Sequence, residues 1–198
     1  MDWLEKYAKE NHIPIMQKEG IEFLTHYIKK NNIYNILEIG SAIGYSSINM
    51  ALVDPKIKIV TIERDETLYN EALKNIQKFN LSRQITVINK DALDVHIDGK
   101  FDLIFIDAAK AQYIKFFEKF QNNLNSNGVI IADNLNFHGL TKKPDTIKSK
   151  NLRALVRKIN KYKEYLKYNP NYKTLFLDIG DGISITKHIT VSDKQLKN

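Results

Sequence analysis

The sequence predicts an α/β fold: a mostly parallel, seven-stranded sheet with helices on both faces and a C-terminal antiparallel hairpin. Three observations carry this. Ile- and Val-rich runs, nearly continuous in apolar character, alternate with stretches of helical period, the pattern of strands covered on both faces. The first run breaks into a glycine-punctuated loop, and acidic residues close several of the others. The last two runs are joined only by Gly180-Asp181-Gly182, too short for a crossover, so they pair antiparallel.

Residues 2–10 place Trp3, Leu4 and Tyr7 at helical spacing, and Pro14 then forces an extended piece. A second helix over 17–30 carries Ile21, Leu24 and Ile28 on one face, with Phe23 and Tyr27 on its flank. Residues 1–31 thus form a helical cap, either a lid or packing material. The run from Asn35 to Ser47 reads as buried strand, tight loop and helix start. Gly40 and Gly44 let backbone approach a ligand, and the helix N-terminus leaves N–H groups unpaired toward the loop. Alone the loop is a weak signal, for it lacks the middle glycine of the dinucleotide fingerprint and the Walker lysine. Strands follow at 57–63, 85–90, 101–107 and 129–133, with helices at 65–80 and 109–124. A polar loop over 136–150 leads to a helix over 151–168, striped by Leu152, Leu155, Val156, Ile159, Tyr162 and Leu166. Strands at 173–179 and 182–187 form the hairpin. Residues 1–188 read as one domain, and the polar residues 189–198 as a tail that frays.

With 43% hydrophobic and 27% charged residues the chain has an ordinary globular composition. No apolar run approaches the roughly 20 residues of a membrane span, and the N-terminus has no signal-like architecture, which makes the cytoplasm the default compartment. The absence of cysteine excludes disulfides and thiolate metal sites. Of the net charge of +7, residues 141–173 contribute +9, with 11 Lys or Arg against Asp145 and Glu164, so the remainder is slightly acidic. The basic segment reads as a footprint for a polyanion, or alternatively as a solvated helix face.

Ligands of an open parallel sheet bind beyond the carboxyl ends of its strands. Glu38, Glu63, Asp107 and Asp133 sit at such ends, and Asp91 lies just past one. Glu63, 23 residues after Gly40, suits both hydroxyls of a ribose, and Asp91-Ala92 an adenine amino group. Asp107, Asp133 and Asn134 offer only oxygen ligands, which suits Mg²⁺, Ca²⁺ or Mn²⁺ rather than zinc. Lys110 is the candidate general base, a role favoured by a neighbouring dication and distance from bulk water. His138 is near enough in sequence to support the Asp133-Asn134 pair, whereas His12, His26, His96 and His188 read as surface or packing residues.

Leu37-Glu38-Ile39-Gly40-Ser41-Ala42-Ile43-Gly44-Tyr45-Ser46, Ile62-Glu63, Phe105-Ile106-Asp107-Ala108-Ala109-Lys110, Asp133-Asn134 and Gly180-Asp181-Gly182-Ile183 together resemble the cation-dependent O-methyltransferases of catechol and caffeoyl-CoA type. The resemblance runs from Ile13 to His188. It implies a Rossmann-like class I methyltransferase fold, S-adenosylmethionine as cofactor and a divalent cation, Mg²⁺ in first place. His12-Ile13-Pro14-Ile15-Met16 with Glu19-Gly20, Ala42-Ile43-Gly44-Tyr45-Ser46, and Asp107 through Tyr113 resemble a bacterial branch that methylates 5-hydroxyuridine at the tRNA wobble position. By that resemblance Met16, Glu38, Gly40, Ser46, Glu63, Asp91, Ala92 and Asp107 contact the cofactor. Asp107, Asp133 and Asn134 hold the metal, and Lys110 assists deprotonation. Lys90 stands before Asp91 where many relatives have glycine, which leaves the adenine end the weakest part of the match.

The expected partner is therefore tRNA, through its anticodon loop, with Lys142, Lys143, Lys148, Lys150, Arg153 and Arg157 on its phosphates. Tyr162, Tyr165, Tyr168 and Tyr172 interleave with lysines, although core or dimer packing suits most of them better. The family is commonly dimeric, so a homodimer is expected, and neither membrane nor DNA is. The rival substrate class is small catechol-like phenols, which need no basic segment. A nicotinamide-dependent oxidoreductase would share Gly40, Gly44 and Glu63 but leave Asp107, Asp133 and Asn134 unexplained together. A non-catalytic RNA-binding module would have no use for Lys110 beside them.

Overall fold

The computed structural model describes residues 1–190, and its seven strands form one sheet in the order β3-β2-β1-β4-β5-β7-β6. β1 (Asn35–Ile39), β2 (Lys58–Glu63), β3 (Ile85–Asn89), β4 (Phe101–Ile106) and β5 (Leu124–Ala132) are mutually parallel. β7 (Ile183–His188) inserts antiparallel between β5 and β6 (Tyr172–Leu177). This is the Rossmann-like methyltransferase fold. The chain winds outward from β1 through β2 to β3, then returns to β4 on the other side of β1. The β1–β4 boundary is therefore the topological switch point, where the loops leaving adjacent strands diverge and open a crevice.

Alternate residues along each central strand feed two separate cores. Ile36, Leu103, Phe105, Val129 and Ile131 face α1 (Asp2–Glu10), α2 (Lys18–Lys30), α3 (Tyr45–Ala51) and α4 (Glu66–Lys78). Leu37, Ile104, Ile106, Ile130 and Ala132 face α5 (Tyr113–Phe120) and α6 (Lys150–Lys167). Because successive strand side chains point to opposite faces, a continuous apolar run is what a doubly covered strand needs. On the second face Tyr162 and Tyr172 are buried, and Phe117 meets Tyr162, Tyr165 and Tyr172 edge to face. Of the four tyrosines among the lysines, only Tyr168 is largely exposed, at 73%.

Three boundaries differ from the sequence expectation. The helix expected over 109–124 divides into a 3-10 turn (Lys110–Gln112), α5 and a second 3-10 turn (Gln121–Asn123). Leu124 starts β5 instead of ending that helix, and Asn125-Ser126-Asn127-Gly128, polar enough to read as a turn, is strand. That stretch bulges between the pairs Phe101–Leu124 and Leu103–Val129, where the register with β4 shifts, and Asn125 Nδ2 donates to Asp102 Oδ1 at 2.6 Å. The loop expected over 136–150 contains 3-10 turns at Leu140–Lys142 and Pro144–Thr146. Of the expected tail, residues 191–198 lie outside the described residues, whereas Ile189 N donates to Asn171 O at 2.9 Å. No helix among the described residues is long and apolar enough to cross a membrane.

Candidate active site

The ladder continues past the strand ends and sets the floor of the crevice. Gly40 N donates to Ile62 O at 2.9 Å, Asp107 N to Ile39 O at 3.0 Å and Asp133 N to Ile106 O at 3.2 Å. Asp107 and Asp133 thus leave adjacent strands at one level. Gly40 lies at φ +95°, and a Cβ there would stand 2.4 Å from the Asp107 carbonyl oxygen. Only glycine allows the first loop to pass so close to the β4 end. Gly44, in the left-handed region, starts α3, and Asn75 Nδ2 from α4 holds Ile43 O at 2.9 Å.

Above this floor is a cavity of about 410 Å³. Its wall brings together Met16, Gly40, Ser46, Glu63, Asp91, Ala92, Asp107, Lys110 and Asn134 from segments far apart in the chain. Asp133 is buried and stays out of that wall. Glu63 is held ready: its Oε2 accepts Ala42 N and its Oε1 accepts Asp65 N, both at 2.9 Å. Each oxygen keeps a second lone pair for a ligand hydroxyl. Asp91 Oδ1 accepts Leu93 N at 2.9 Å, and its Oδ2 lies 3.8 Å from Arg64 Nη1, another wall residue. The cap contributes Pro14, Ile15 and Met16 of its linker to the wall. Tyr45, also in the wall, donates to Glu5 Oε1 of α1 at 2.7 Å.

Glu38 is placed differently from the direct cofactor contact that the resemblance implies. It is fully buried and absent from the cavity wall, accepting hydrogen bonds from Ser46 at 2.5 Å and from Ser47. Burial pushes its carboxyl up to about 7 against the pull of the hydrogen bonds from Ser46 and Ser47, with Asp107 adding to the rise. Glu38 braces the start of α3 from beneath.

Asp107 and Asp133 are both pushed above the usual carboxylate range, first by burial. The Lys110 ammonium opposes the shift at Asp107, while Asp107 itself raises Asp133. Asn134, at φ +64°, turns its Nδ2 toward Asp107 Oδ1 at 3.3 Å. Among the described residues no three His, Cys, Asp or Glu side chains cluster as a metal set, so the candidate set is two carboxylates and one amide. Two desolvated, mutually repelling carboxylates beside an amide oxygen fit a hard dication, which would relieve the repulsion and keep positions open for water or substrate. Lys110 sits in the 3-10 turn ahead of α5, its Nζ 6.0 Å from the centre of the Phe137 ring. From α5, Tyr113 donates to Asp133 O at 3.0 Å and fixes that end of the set.

His138 serves this region through its backbone: its N donates to Asp181 Oδ1 at 2.6 Å, while the ring is 71% exposed. In the basic segment Lys142, Lys143, Lys148, Lys150 and Arg157 are exposed. Arg153 is instead turned onto its own chain, its Nε and Nη2 donating to Ile147 O at 3.0 and 2.6 Å. Lys142 Nζ lies 3.4 Å from Asp178 Oδ2. Sequence pattern does not single out Pro14, Ile15, Arg64, Leu68, Gln112 or Phe116 as wall residues. Arg64 is detectable as the neighbour of Glu63, whereas Leu68 and Phe116 look like any core-facing helical position.

The model of the O-methyltransferase family matches residues 1–189. The chain belongs to that family. A Staphylococcus aureus protein provisionally named a caffeoyl-CoA O-methyltransferase has a crystal structure similar to this one, with TM-score 0.91 and 38% identity, covering 95% of this chain and 91% of that one. An O-methyltransferase from Bacillus cereus, solved in complex with S-adenosylhomocysteine (SAH), aligns with TM-score 0.82 and 25% identity, covering 95% and 90%. The caffeoyl-CoA O-methyltransferase of Populus kitakamiensis is 27% identical over 194 residues, 93% of this chain and 82% of that protein. This chain is accordingly an S-adenosylmethionine-dependent O-methyltransferase of the caffeoyl-CoA type.

Proposed function

We propose that this O-methyltransferase converts 5-hydroxyuridine at the tRNA wobble position to 5-methoxyuridine, with a divalent cation, Mg²⁺ by the hardness of its donors. The observation that carries the reading is the position of the positive charge. Exposed Lys143, Lys148, Lys150 and Arg157 lie on the segment that runs from Asn134 into α6, and α6 packs beside the turn that bears Lys110. A phosphate backbone gripped there would bring a loop nucleotide to Lys110, and a wobble base is already partly unstacked. In 5-hydroxyuridine the 5-oxygen adjoins the 4-carbonyl, a chelating pair similar to that of a catechol.

The chain's own part is positioning and proton handling. Glu63 and Asp91 orient the cofactor from the ribose and adenine ends, and Met16 and Ser46 bound its remaining length. Asp107, Asp133 and Asn134 would hold the dication, and when bound the two groups would supply the methyl (S-adenosylmethionine) and charge stabilisation for the developing oxyanion (the dication). Lys110, acting as the neutral amine and not as the ammonium, takes the 5-hydroxyl proton on Nζ as the oxygen becomes the nucleophile. Effective concentration and electrostatics, without a covalent intermediate, account for such a transfer.

A second reading, methylation of small catechol-like phenols, is favoured by the named activity of the Populus relative. Methyl transfer from labelled S-adenosylmethionine separates the two, with 5-hydroxyuridine-containing tRNA and a catechol panel offered in Mg²⁺ or in chelator. Metal-dependent label in tRNA alone is the expected result. Label in catechols alone refutes the RNA reading, and undiminished transfer in chelator refutes the metal.

A further inference from the structure

The Gly180-Asp181-Gly182 turn between β6 and β7 stays out of the cavity wall, yet it grips the segment that follows Asn134. Leu135 N donates to Gly182 O at 2.9 Å, Asn136 N to Asp181 O at 2.7 Å, and His138 N to Asp181 Oδ1 at 2.6 Å. Asn136 Nδ2 also donates to Asp178 Oδ1. The fit is close: a Cβ on Gly182 would stand 2.6 Å from Asn136 Cγ and 2.8 Å from Asn136 N.

The gripped segment has reason to need it. Asn134, Phe137 and His138 lie at φ of 64°, 44° and 55°, and Gly139 follows at 78°. Bulky side chains hold the left-handed region only where their surroundings over-determine it. Asp181 is buried, with Oδ1 used by His138 N and Oδ2 without a hydrogen-bond partner among the described residues. A buried carboxylate spent on one backbone N–H makes a strong, charge-assisted bond at that strained residue.

We infer that Asp181 is a positioning residue for the metal set: it clamps the segment Asn134–His138, with Asn134, Phe137 and His138 in left-handed geometry, so that the Asn134 amide faces Asp107. The inference rests on the metal reading of Asp107, Asp133 and Asn134. Groups that orient metal ligands from behind commonly change metal affinity by about 10- to 100-fold when removed.

The test uses the wild-type protein, Asp181→Ala and Asp181→Asn. Mn²⁺ affinity is read by electron paramagnetic resonance, S-adenosylmethionine affinity by calorimetry, and amide exchange over residues 134–139 by mass spectrometry. Asp181→Ala should bind Mn²⁺ about tenfold or more weakly while cofactor affinity stays within about twofold. Its exchange should accelerate in that segment alone. Asp181→Asn keeps an acceptor for His138 N and should restore both properties. Unchanged Mn²⁺ affinity in Asp181→Ala overturns the inference, as does parallel loss of Mn²⁺ and cofactor, the mark of general unfolding. If the wild-type protein binds no Mn²⁺, the metal reading itself falls. Exchange then decides the clamp: acceleration confined to the segment sustains it, and unchanged exchange overturns it.

Discussion

Replacing Glu38 by Gln should remove a pH dependence of stability that originates at one buried carboxyl. Glu38 is fully buried, held by Ser46 and Ser47, and its carboxyl is raised from the ordinary 4.5 to about 7. Below the unfolded value both states carry the proton and the site costs nothing. As pH rises toward the folded value the unfolded chain releases its proton first, so stability falls, and above it the whole penalty persists. At 1.36 kcal/mol for each tenfold change, the penalty reaches about 3 kcal/mol. Gln is isosteric with the protonated acid and neutral throughout, and both serine hydroxyls can reorient to it. Urea unfolding of both proteins at pH 4 and pH 8 should therefore show the Gln variant gaining about 3 kcal/mol relative to wild type across that interval. Parallel stability curves would rule this out, because they require Glu38 to titrate alike folded and unfolded. A relative loss at high pH would reverse the sign of the effect.

Three further perturbations probe the cavity and its surroundings. Gly40→Ala places a Cβ 2.4 Å from a backbone oxygen at φ +95°, and should lower stability by about 3 kcal/mol or more with loss of cofactor binding, read by thermal unfolding and calorimetry. Glu63→Gln turns an amide N–H₂ against Ala42 N or Asp65 N and weakens the ribose contact; calorimetry should show cofactor affinity reduced about tenfold or more, or about 1.4 kcal/mol. Lys150→Glu with Arg157→Glu should weaken tRNA binding, with cofactor affinity unchanged. The log–log salt dependence of that binding should flatten by roughly 0.7 to 0.9 for each phosphate no longer neutralised. Arg153 is the poorer choice for that test, since its guanidinium holds Ile147 O and its removal would disturb the loop itself.

Much of the architecture is legible in the sequence because apolar period and connection length are local properties. The strand Asn35–Ile39 and the stripe of Val156, Ile159, Tyr162 and Leu166 follow from them, and the short Gly180-Asp181-Gly182 link requires a hairpin. Legibility ends where local chemistry is overruled by distant partners. Asn125-Ser126-Asn127-Gly128 looks like a turn and is held in the strand because β4 pairs on either side of it, with Leu124 and with Val129, and Asp102 takes Asn125. In the site, position at a strand end is enough to bring Glu63, Asp107 and Asn134 to one cavity. Depth is not legible. Strand alternation cannot tell that Glu38 is sealed beneath the loop by two serines of α3. Nor does sequence reveal that Asp181 reaches back 43 positions to His138 N, or that the His138 ring is left exposed.

Whether the substrate is RNA is decided by nucleoside mass spectrometry. Purified protein, S-adenosylmethionine and Mg²⁺ would be incubated with tRNA carrying 5-hydroxyuridine, in the presence of an equal concentration of a simple catechol, and the tRNA then digested. An RNA methyltransferase should consume 5-hydroxyuridine, leave 5-methoxyuridine in its place at the wobble position, and spare the catechol. Untouched 5-hydroxyuridine beside methylated catechol would contradict that assignment, and would reduce the basic segment to solvated surface on a phenol methyltransferase.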